Sequence, residues 1–440
     1  MILWRTKVFI SNIIKKQSPA RLIAFGFSLV IFVGAFLLLL PISVNSGENV
    51  SLINALFTST SAVCVTGLTV TDTADTFSVF GRTVIAILIQ IGGLGVASVG
   101  VSFVMLTRKR VNFKERLLVK EALNVDTSKG LVRLVKSILV ITIIIESLGV
   151  ILNYFVFSKE YPPLSALGVS VFHSIASFNN SGFDIFGGFK SMTGYAGNTS
   201  LNIITSALVI LGGIGFMVII DVLKKRSWKR LTLHSKVVIV TSGALLTVGT
   251  LIIWGTEDIS FLGAFFHSVS SRTAGFATFN TGNFTNAGLL FICFLMFVGA
   301  SPGSTGGGIK TTTFFSLLQA AKSVALKSNS SAFRRKIPRL VITKAFIVAL
   351  MAAMVIFTGT FMLCIFEPDN TFMQNFFEEV SAFGTVGFST GITPTLSLYS
   401  KLVITFTMFI GRLGPVTIAS LWIFKPDINL SYSEENIAIG

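Results

Sequence analysis

Four stretches of this 440-residue chain repeat one pattern, and that repetition restricts the fold more than any single motif does. They are FTSTSAVCVTGLTV (57–70), FHSIASFNNSGFDI (172–185), FHSVSSRTAGFATF (266–279) and FEEVSAFGTVGFST (377–390). In each, a short amphipathic run rich in Ser and Thr leads to a lone glycine followed by an apolar residue. The glycines are Gly67, Gly182, Gly275 and Gly387. The third copy is one residue shorter between its Phe and its Gly, which leaves its alignment open by one position. Apolar runs flank every copy, and the run that follows carries a second glycine cluster: IGGLG (91–95), LGGIG (211–215), VGASPGSTGGG (298–308) and IGRLGP (410–415). Self-similarity of this kind dictates architecture before local motifs are weighed. The expected fold is an all-α integral membrane protein of eight transmembrane helices, built from four units of helix, pore loop and helix. The units divide at 1–106, 107–229, 230–337 and 338–440. Each contains two spans, so all four are parallel and surround one pseudo-fourfold pore.

Composition agrees with a membrane setting. The chain is 52% hydrophobic and 12% charged, against roughly 25% charged residues in a soluble domain. Spans are expected at about 22–40, 83–106, 138–157, 203–223, 237–253, 287–298 with a continuation past the glycines, 340–365 and 402–424. With the N-terminus inside, the inner segments hold 29 of the 35 Lys and Arg residues. The outer segments hold only Arg82, Lys159, Lys190, Arg272 and Lys401. Acidic residues run the other way, eleven outside and seven inside. This positive-inside pattern puts both termini in the cytoplasm. It assigns the net charge of +16 to topology, lipid headgroups or a cytosolic partner, and not to nucleic acid. The first apolar run is long enough to span and reaches Pro41 without a small-residue cleavage site, so no cleavable signal is expected. Cys64, Cys293 and Cys364 lie far apart in apolar surroundings and read as packing residues, neither a disulfide framework nor a metal site.

Chain that dips halfway into a membrane four times needs a physical reason. Non-helical backbone at that depth is tolerated only inside protein or beside a water-filled cavity. Four dips around one axis form a pore whose narrowest part is lined by backbone, and rings of carbonyl oxygens can replace the hydration shell of a monovalent cation. A glycine at each turn allows the left-handed geometry that keeps successive carbonyls pointing inward, and the negative end of each short helix favours a cation on the axis. The expected K⁺ ligands are backbone atoms of Val63, Cys64, Val65, Thr66 and Gly67; of Asn179, Asn180, Ser181 and Gly182; of Arg272, Thr273, Ala274 and Gly275; and of Gly384, Thr385, Val386 and Gly387. Each strand closes on one glycine in place of the spaced pair of a strict potassium filter, and the four differ in sequence. A preference for K⁺ less sharp than in a symmetric channel follows. The competing reading makes these glycines helix-packing residues, but packing alone gives no reason for each to follow a Ser/Thr-rich run on the outer side.

The stretch VGASPGSTGGGIKTTT (298–313) looks at first like a phosphate-binding loop. A Walker loop needs its lysine directly after the last glycine, and here Ile309 separates Gly308 from Lys310, after a long apolar run. Gly299, Ala300, Ser301, Pro302, Gly303, Ser304, Thr305, Gly306, Gly307 and Gly308 are instead expected to interrupt the second span of the third unit just below the filter. Glycine and proline weaken a helix by roughly 1 and 3 kcal/mol per residue. A mobile loop of small residues in that place reads as a gate; an ordered break needed only for packing is the alternative. Arg412 lies mid-span in the fourth unit, where a lone cation is costly and should face the pore or an internal partner. It is expected to bond gate carbonyls and to oppose K⁺ passage, or else to clamp two helices.

Other polar residues carry weaker expectations. Glu146 pairs with a neighbouring helix, and Asp221 forms an ion pair with Lys224 or Lys225. His173 and His267 begin the re-entrant helices near the outer vestibule. Glu378, Glu379 and Asp184 surround the mouth, as cation-concentrating charges or as solvated surface acids. The basic connectors 105–124 and 322–336 offer a docking surface for an acidic cytosolic partner or for lipid. The short tail 428–440 is too small to be a regulatory domain.

Taken together, the four single-glycine filters, the interruption at 299–308 and Arg412 in IGRLGP resemble the membrane subunit of the Ktr/Trk/HKT potassium transporters, most closely the Ktr type. The resemblance covers nearly the whole chain. It implies K⁺ uptake across a bacterial plasma membrane, with K⁺ and also Na⁺ as pore ions and no covalently bound cofactor. It further implies a homodimer with one pore per chain, docked on a cytosolic ring of nucleotide-binding, KtrA-like regulatory subunits. An ATP-driven membrane enzyme would need a cytosolic domain, which the short inner connectors do not supply, so no enzyme activity is expected. A secondary carrier with a midplane site is disfavoured because the repeats are parallel and not inverted.

Overall fold

The computed structural model describes residues 17–106, 113–122 and 130–421. Four units follow one another. The first has α1 (Pro19–Leu38), α2 (Leu52–Val63) and α3 (Val79–Leu94), continued by α4 (Val96–Leu106). A connecting helix, α5 (Phe113–Ala122), leads to the second: α6 (Leu131–Phe157), α7 (Pro163–Phe178), α8 (Thr199–Gly213) and α9 (Phe216–Lys225). The third comprises α10 (Leu233–Thr256), α11 (Phe261–Ser270), α12 (Asn286–Phe297) and, beyond a long break, α13 (Thr311–Ala325). A small hairpin of β1 (Ser331–Ala332) and β2 (Arg335–Lys336) precedes the fourth. That unit has α14 (Arg339–Phe366), α15 (Phe372–Gly384), α16 (Leu398–Leu413) and α17 (Pro415–Ser420).

Helix starts follow from local chemistry. Ser51, Ser260 and Thr371 cap three of the re-entrant helices, each side chain accepting from an N–H in the first turn; α7 begins instead with Pro163, whose missing N–H costs nothing there. Ser78, Asn198, Thr285 and Ser397 cap the second spans in the same way. The long first-span helices α1, α6, α10 and α14 are each apolar and long enough to cross a membrane. Their outward faces carry exposed Phe25, Phe32, Phe36, Phe155, Phe357 and Phe361, as lipid contact requires. The protein is an all-α integral membrane protein with four helix–pore loop–helix units.

One expectation needs correction. The runs 83–106 and 203–223 are not continuous spans. The chain bends by 96° between α3 and α4 and by 94° between α8 and α9. The fourth unit breaks likewise between α16 and α17. The residue at each break is a left-handed glycine, Gly95 (φ 82°), Gly215 (φ 95°) or Gly414 (φ 89°), a conformation that ends one helix while the next restarts at once. All four second spans are therefore interrupted, not the third alone.

The units close into a ring by handing packing forward. The second span of each lies against the re-entrant helix of the next: α3 on α7, α8 on α11, α12 on α15, and finally α16 back on α2.

Candidate functional site

The four re-entrant helices deliver their C-terminal ends to one place, and the loops that follow share one backbone geometry. Two residues before each glycine stands a left-handed non-glycine residue: Val65 (φ 57°), Asn180 (φ 56°), Thr273 (φ 80°) and Thr385 (φ 49°). The glycines themselves have φ of 93°, 68°, 74° and 98°. This repeated pair fixes the register of the shorter third copy, in which Thr273 is the counterpart of Val65. The residue between each pair is tied back to the helix: the N–H groups of Thr66, Ser181 and Val386 reach the carbonyls of Ser61, Ala176 and Ser381 at 2.8–2.9 Å. In the third copy Ala274 reaches Ser270 at 2.8 Å, one residue closer in sequence. Ser61 and Ser381 also accept from the N–H groups of Gly67 and Gly387 at 3.0 and 3.1 Å. Strained turns are thereby over-determined by their surroundings.

The loops meet around a closed circle. A methyl group built on Gly67 would lie 2.9 Å from the Cα of Gly182; one on Gly182, 3.2 Å from that of Gly275; one on Gly275, 3.0 Å from that of Gly387; and one on Gly387, 3.0 Å from that of Gly67. In each case it would also press on the carbonyl oxygen of the residue preceding the next glycine: Ser181, Ala274, Val386 and Thr66 in turn. No side chain can be accommodated at these positions without displacing backbone. Among the residues expected at the site, Val63 and Gly384 belong to the last turns of α2 and α15. The Arg272 side chain turns away and donates to the Ser242 carbonyl on α10 at 3.3 Å.

Directly against this ring lies the break of the third unit. Residues 299–308 leave α12, and Val298 pairs with Ile309 to close the loop's base. Ser301, Thr305, Gly306 and Gly307 are buried. The loop is bonded to the glycine cluster of unit two: Ser301 N–H to the Gly213 carbonyl (3.0 Å), Thr305 N–H to Gly212 (3.2 Å) and Phe216 N–H to the Gly303 carbonyl (3.0 Å). Gly306 abuts Thr273 and Gly307 abuts Thr385, so added methyl groups would come within 2.9 and 3.2 Å of those threonines' Cβ atoms. The Arg412 guanidinium donates to the Thr305 carbonyl and, across the centre, to that of Gly92 in unit one. Lys310, noticed in the sequence only as a misplaced Walker lysine, donates to the Gly306 (2.8 Å) and Gly307 (3.2 Å) carbonyls. Three consecutive loop carbonyls are thus held by two cations. The signal for Lys310 was its position two residues after Gly308, at the re-entry into helix.

Several other side chains stand elsewhere than expected. His173 and His267 do not begin their helices; His173 lies inside α7 and His267 in the last turn of α11, buried at 1% and 0% exposure. His173 bonds Thr205 at 2.9 Å, and His267 stacks on Phe388 while accepting from the Phe279 N–H. Glu378 and Glu379 are not surface acids, since both have 0% exposure. Thr393 donates to Glu378, and Thr407 donates to Glu379 at 2.7 Å. Glu146 accepts from the Asn179 side chain (2.9 Å), which also donates to Gln90 of α3 (3.0 Å). Asp184 accepts locally from the Phe186 N–H at 3.1 Å. Asp221 pairs with Lys225 at 2.7 Å and anchors Thr232 and Ser235 at the start of α10. Cys64 and Cys293 are buried free thiols and Cys364 is half-buried. Of the basic connectors, 107–112 and 123–124 lie outside the described residues, as do the basic N-terminal residues 1–16 and the tail 428–440. The 322–336 connector carries the hairpin, whose Phe333 packs edge-on against Trp228.

Comparison with known proteins agrees with this geometry. The family model described as "TrkH: Cation transport protein" matches residues 22–241 and 236–428. Ktr system potassium uptake protein B of Bacillus subtilis (strain 168) is 38% identical over 436 residues, covering 96% of this chain and 97% of that protein. Potassium/sodium uptake protein NtpJ of Enterococcus hirae is 37% identical, with 97% and 98% covered. The crystal structure of the potassium transporter TrkH from Vibrio parahaemolyticus superposes with a TM-score of 0.74 at 19% identity, covering 92% of this chain and 85% of that one, and so shares the fold. A near full-length match, four filter-like loops and the long break in the third unit lead to one assignment: the chain belongs to the TrkH family of cation transport proteins.

Proposed function

We propose that the chain takes up potassium ions through a single pore at the centre of its four units. The observation that carries this reading is the closed circle of Gly67, Gly182, Gly275 and Gly387, each seated against the backbone of the next. Backbone carbonyls of the four loops would strip water from K⁺, each of the units 1–106, 107–229, 230–337 and 338–440 supplying one wall. The names of the relatives supply the ion, and one of them adds sodium, so K⁺ and Na⁺ are the candidate cargo. Residues 299–308 act as the gate, because they cross beneath Thr273 and Thr385 and hold the Arg412 and Lys310 charges in the exit path. Loop withdrawal would remove both the obstruction and the charge.

We further propose a bacterial plasma membrane location with cytoplasmic termini, from the charge asymmetry of the connectors. On this reading the chain has no catalytic step, assembles as a homodimer, and takes its control from a cytosolic, nucleotide-binding, KtrA-like ring docked on the basic inner surface. The deciding experiment is flux of K⁺ and Na⁺ through the purified protein in liposomes. Potassium-selective flux is expected, and deletion of residues 301–307 should raise it. Unchanged flux in a well-expressed deletion would end the gate reading, and absence of cation flux from the intact protein would end the pore reading.

A further inference from the structure

The four units allow a comparison within one chain. On each first-span helix a glycine faces one residue of the adjoining re-entrant helix: Gly34 faces Ser59, Gly149 faces Ser174, Gly249 faces Ser268, and Gly359 faces Glu379. The first three glycines also face a leucine of the second span, Leu88, Leu208 and Leu295. In units one to three the serine hydroxyl donates to the first-span carbonyl three residues before that glycine: Ile31 (2.7 Å), Glu146 (2.7 Å) and Leu246 (3.0 Å). Unit four differs twice at this spot. The serine is replaced by Glu379, and the second span supplies Thr407, four residues before Gly411, where unit one has Leu88 before Gly92 and unit two has Leu208 before Gly212. Thr407 donates to Glu379 at 2.7 Å. The substitutions suit each other: the larger acid needs an acceptor's partner, and the threonine provides it.

What remains is a charge question. Glu379 has 0% exposure, and its second oxygen has no hydrogen-bond partner. The charged or titratable groups on the surrounding elements are Glu378 beside it, Arg339, Lys344 and Cys364 on α14, Tyr399, Lys401 and Arg412 on α16, and Cys293 on α12. None of them bonds Glu379; Arg412 is committed to the Thr305 and Gly92 carbonyls, and Lys401 bonds Asn54. A buried carboxylate without a counter-ion is strongly disfavoured. Six residues on from Glu379, at Thr385, the chain leaves α15 for the fourth filter strand, at about 1.5 Å rise per residue along the helix.

We infer that Glu379, held by Thr407, is a positioning residue whose negative charge acts from behind the fourth strand, and that the monovalent cation in the filter is its counter-ion. The pore is then electrostatically lopsided, and cation affinity is set from one side. The inference rests on the pore reading given above. At a separation of about 10 Å and an effective dielectric of about 20, one charge alters cation binding on the order of tenfold.

The test is K⁺ uptake by the full-length protein in liposomes, resolved into half-saturating concentration and maximal rate. Glu379→Gln keeps an acceptor for Thr407 and removes the charge. It should raise the half-saturating concentration on the order of tenfold with the maximal rate preserved, and Glu379→Asp should recover most of the affinity. The double variant E379S/T407L copies the first three units, so it should fold where a single change fails, and it should show the same weakened affinity. Wild-type kinetics in Glu379→Gln, or in the double variant if the first does not fold, would overturn the charge role while leaving the pore intact. A wild-type protein without cation flux would instead overturn the pore reading, and this inference with it.

Discussion

The filter ring and the breaks beneath it are both made of glycine turns repeated four times, yet the two sets are built to different standards. In the ring, all four loops share the same pair of left-handed residues, and every glycine is pressed on its neighbour's backbone. Among the breaks, Gly95 has nothing within 4 Å of an added methyl group and Gly414 has only a distant threonine, whereas Gly215 is crowded by the Pro302 carbonyl of the third unit's loop at 2.7 Å. In the third unit the break is a ten-residue loop, while the others are one residue (Gly95, Gly414) or two (Ile214 and Gly215). On the proposed pore reading an ion is held by carbonyls from every side, and the ring accordingly keeps one backbone pattern in all four copies. An obstruction needs only one part. On that reading, symmetry is kept where coordination would require it and abandoned where switching would.

The largest expected effect comes from crowding the ring. Serine at Gly67 or Gly387 must displace the Ser181 or Thr66 carbonyl region and also strain a left-handed residue, at about 1 to 3 kcal/mol for the strain alone. Selectivity for K⁺ over Na⁺ should fall by roughly tenfold or more, each 1.4 kcal/mol being a factor of ten. Preserved selectivity in both variants, read as a flux ratio in liposomes, would dissolve the contrast between ring and breaks.

Next in size is release of the third break. Arg412→Gln removes the donor to Thr305 and Gly92, and hydrogen bonds to charged groups contribute about 1.5 to 3 kcal/mol each. Potassium flux should rise roughly tenfold with selectivity kept; a fall in flux from a folded protein would mean that Arg412 supports conduction. Lys310→Met should act in the same direction but less, since its bonds to Gly306 and Gly307 lie within the loop's own unit. A threefold rise, on the order of a single net hydrogen bond, is expected in the same assay.

The smallest effect sharpens the comparison from the other side. Gly95→Ala meets no neighbour and strains only φ, which costs about 1 to 2 kcal/mol. It should lower thermal stability slightly and leave the K⁺/Na⁺ flux ratio unchanged. A selectivity loss there as large as that at Gly67 would show that the two tiers are one.

How much of this was readable in the sequence varies with the kind of information each residue carries. The repeats, the four turn glycines and the interruption at 299–308 were legible because the sequence pattern marks them: one glycine recurs at the same place in each repeat, and a run of small residues breaks an apolar stretch. The breaks at Gly95, Gly215 and Gly414 were not, since a single glycine in a span is equally suited to close packing. Burial of polar groups was misjudged for a different reason. His173 and Glu379 look like surface residues because nothing local names their partners, Thr205 and Thr407, which come from spans 32 and 28 residues away. Comparison of the four repeats position by position would have exposed the Ser-to-Glu change in unit four, since Ser59, Ser174 and Ser268 all stand at equal distance after the same phenylalanine.

The forward hand-over of packing carries a consequence for biogenesis. Since α16 must return to α2, the first re-entrant helix has an open flank until nearly the whole polypeptide has left the ribosome. Each earlier hairpin leans on a neighbour still to be made, like a vault whose opening stone and closing stone must touch. Truncation anywhere before α16 should leave an assembly that quality-control proteases recognise, and the last span, not the first, should set the moment at which the structure locks.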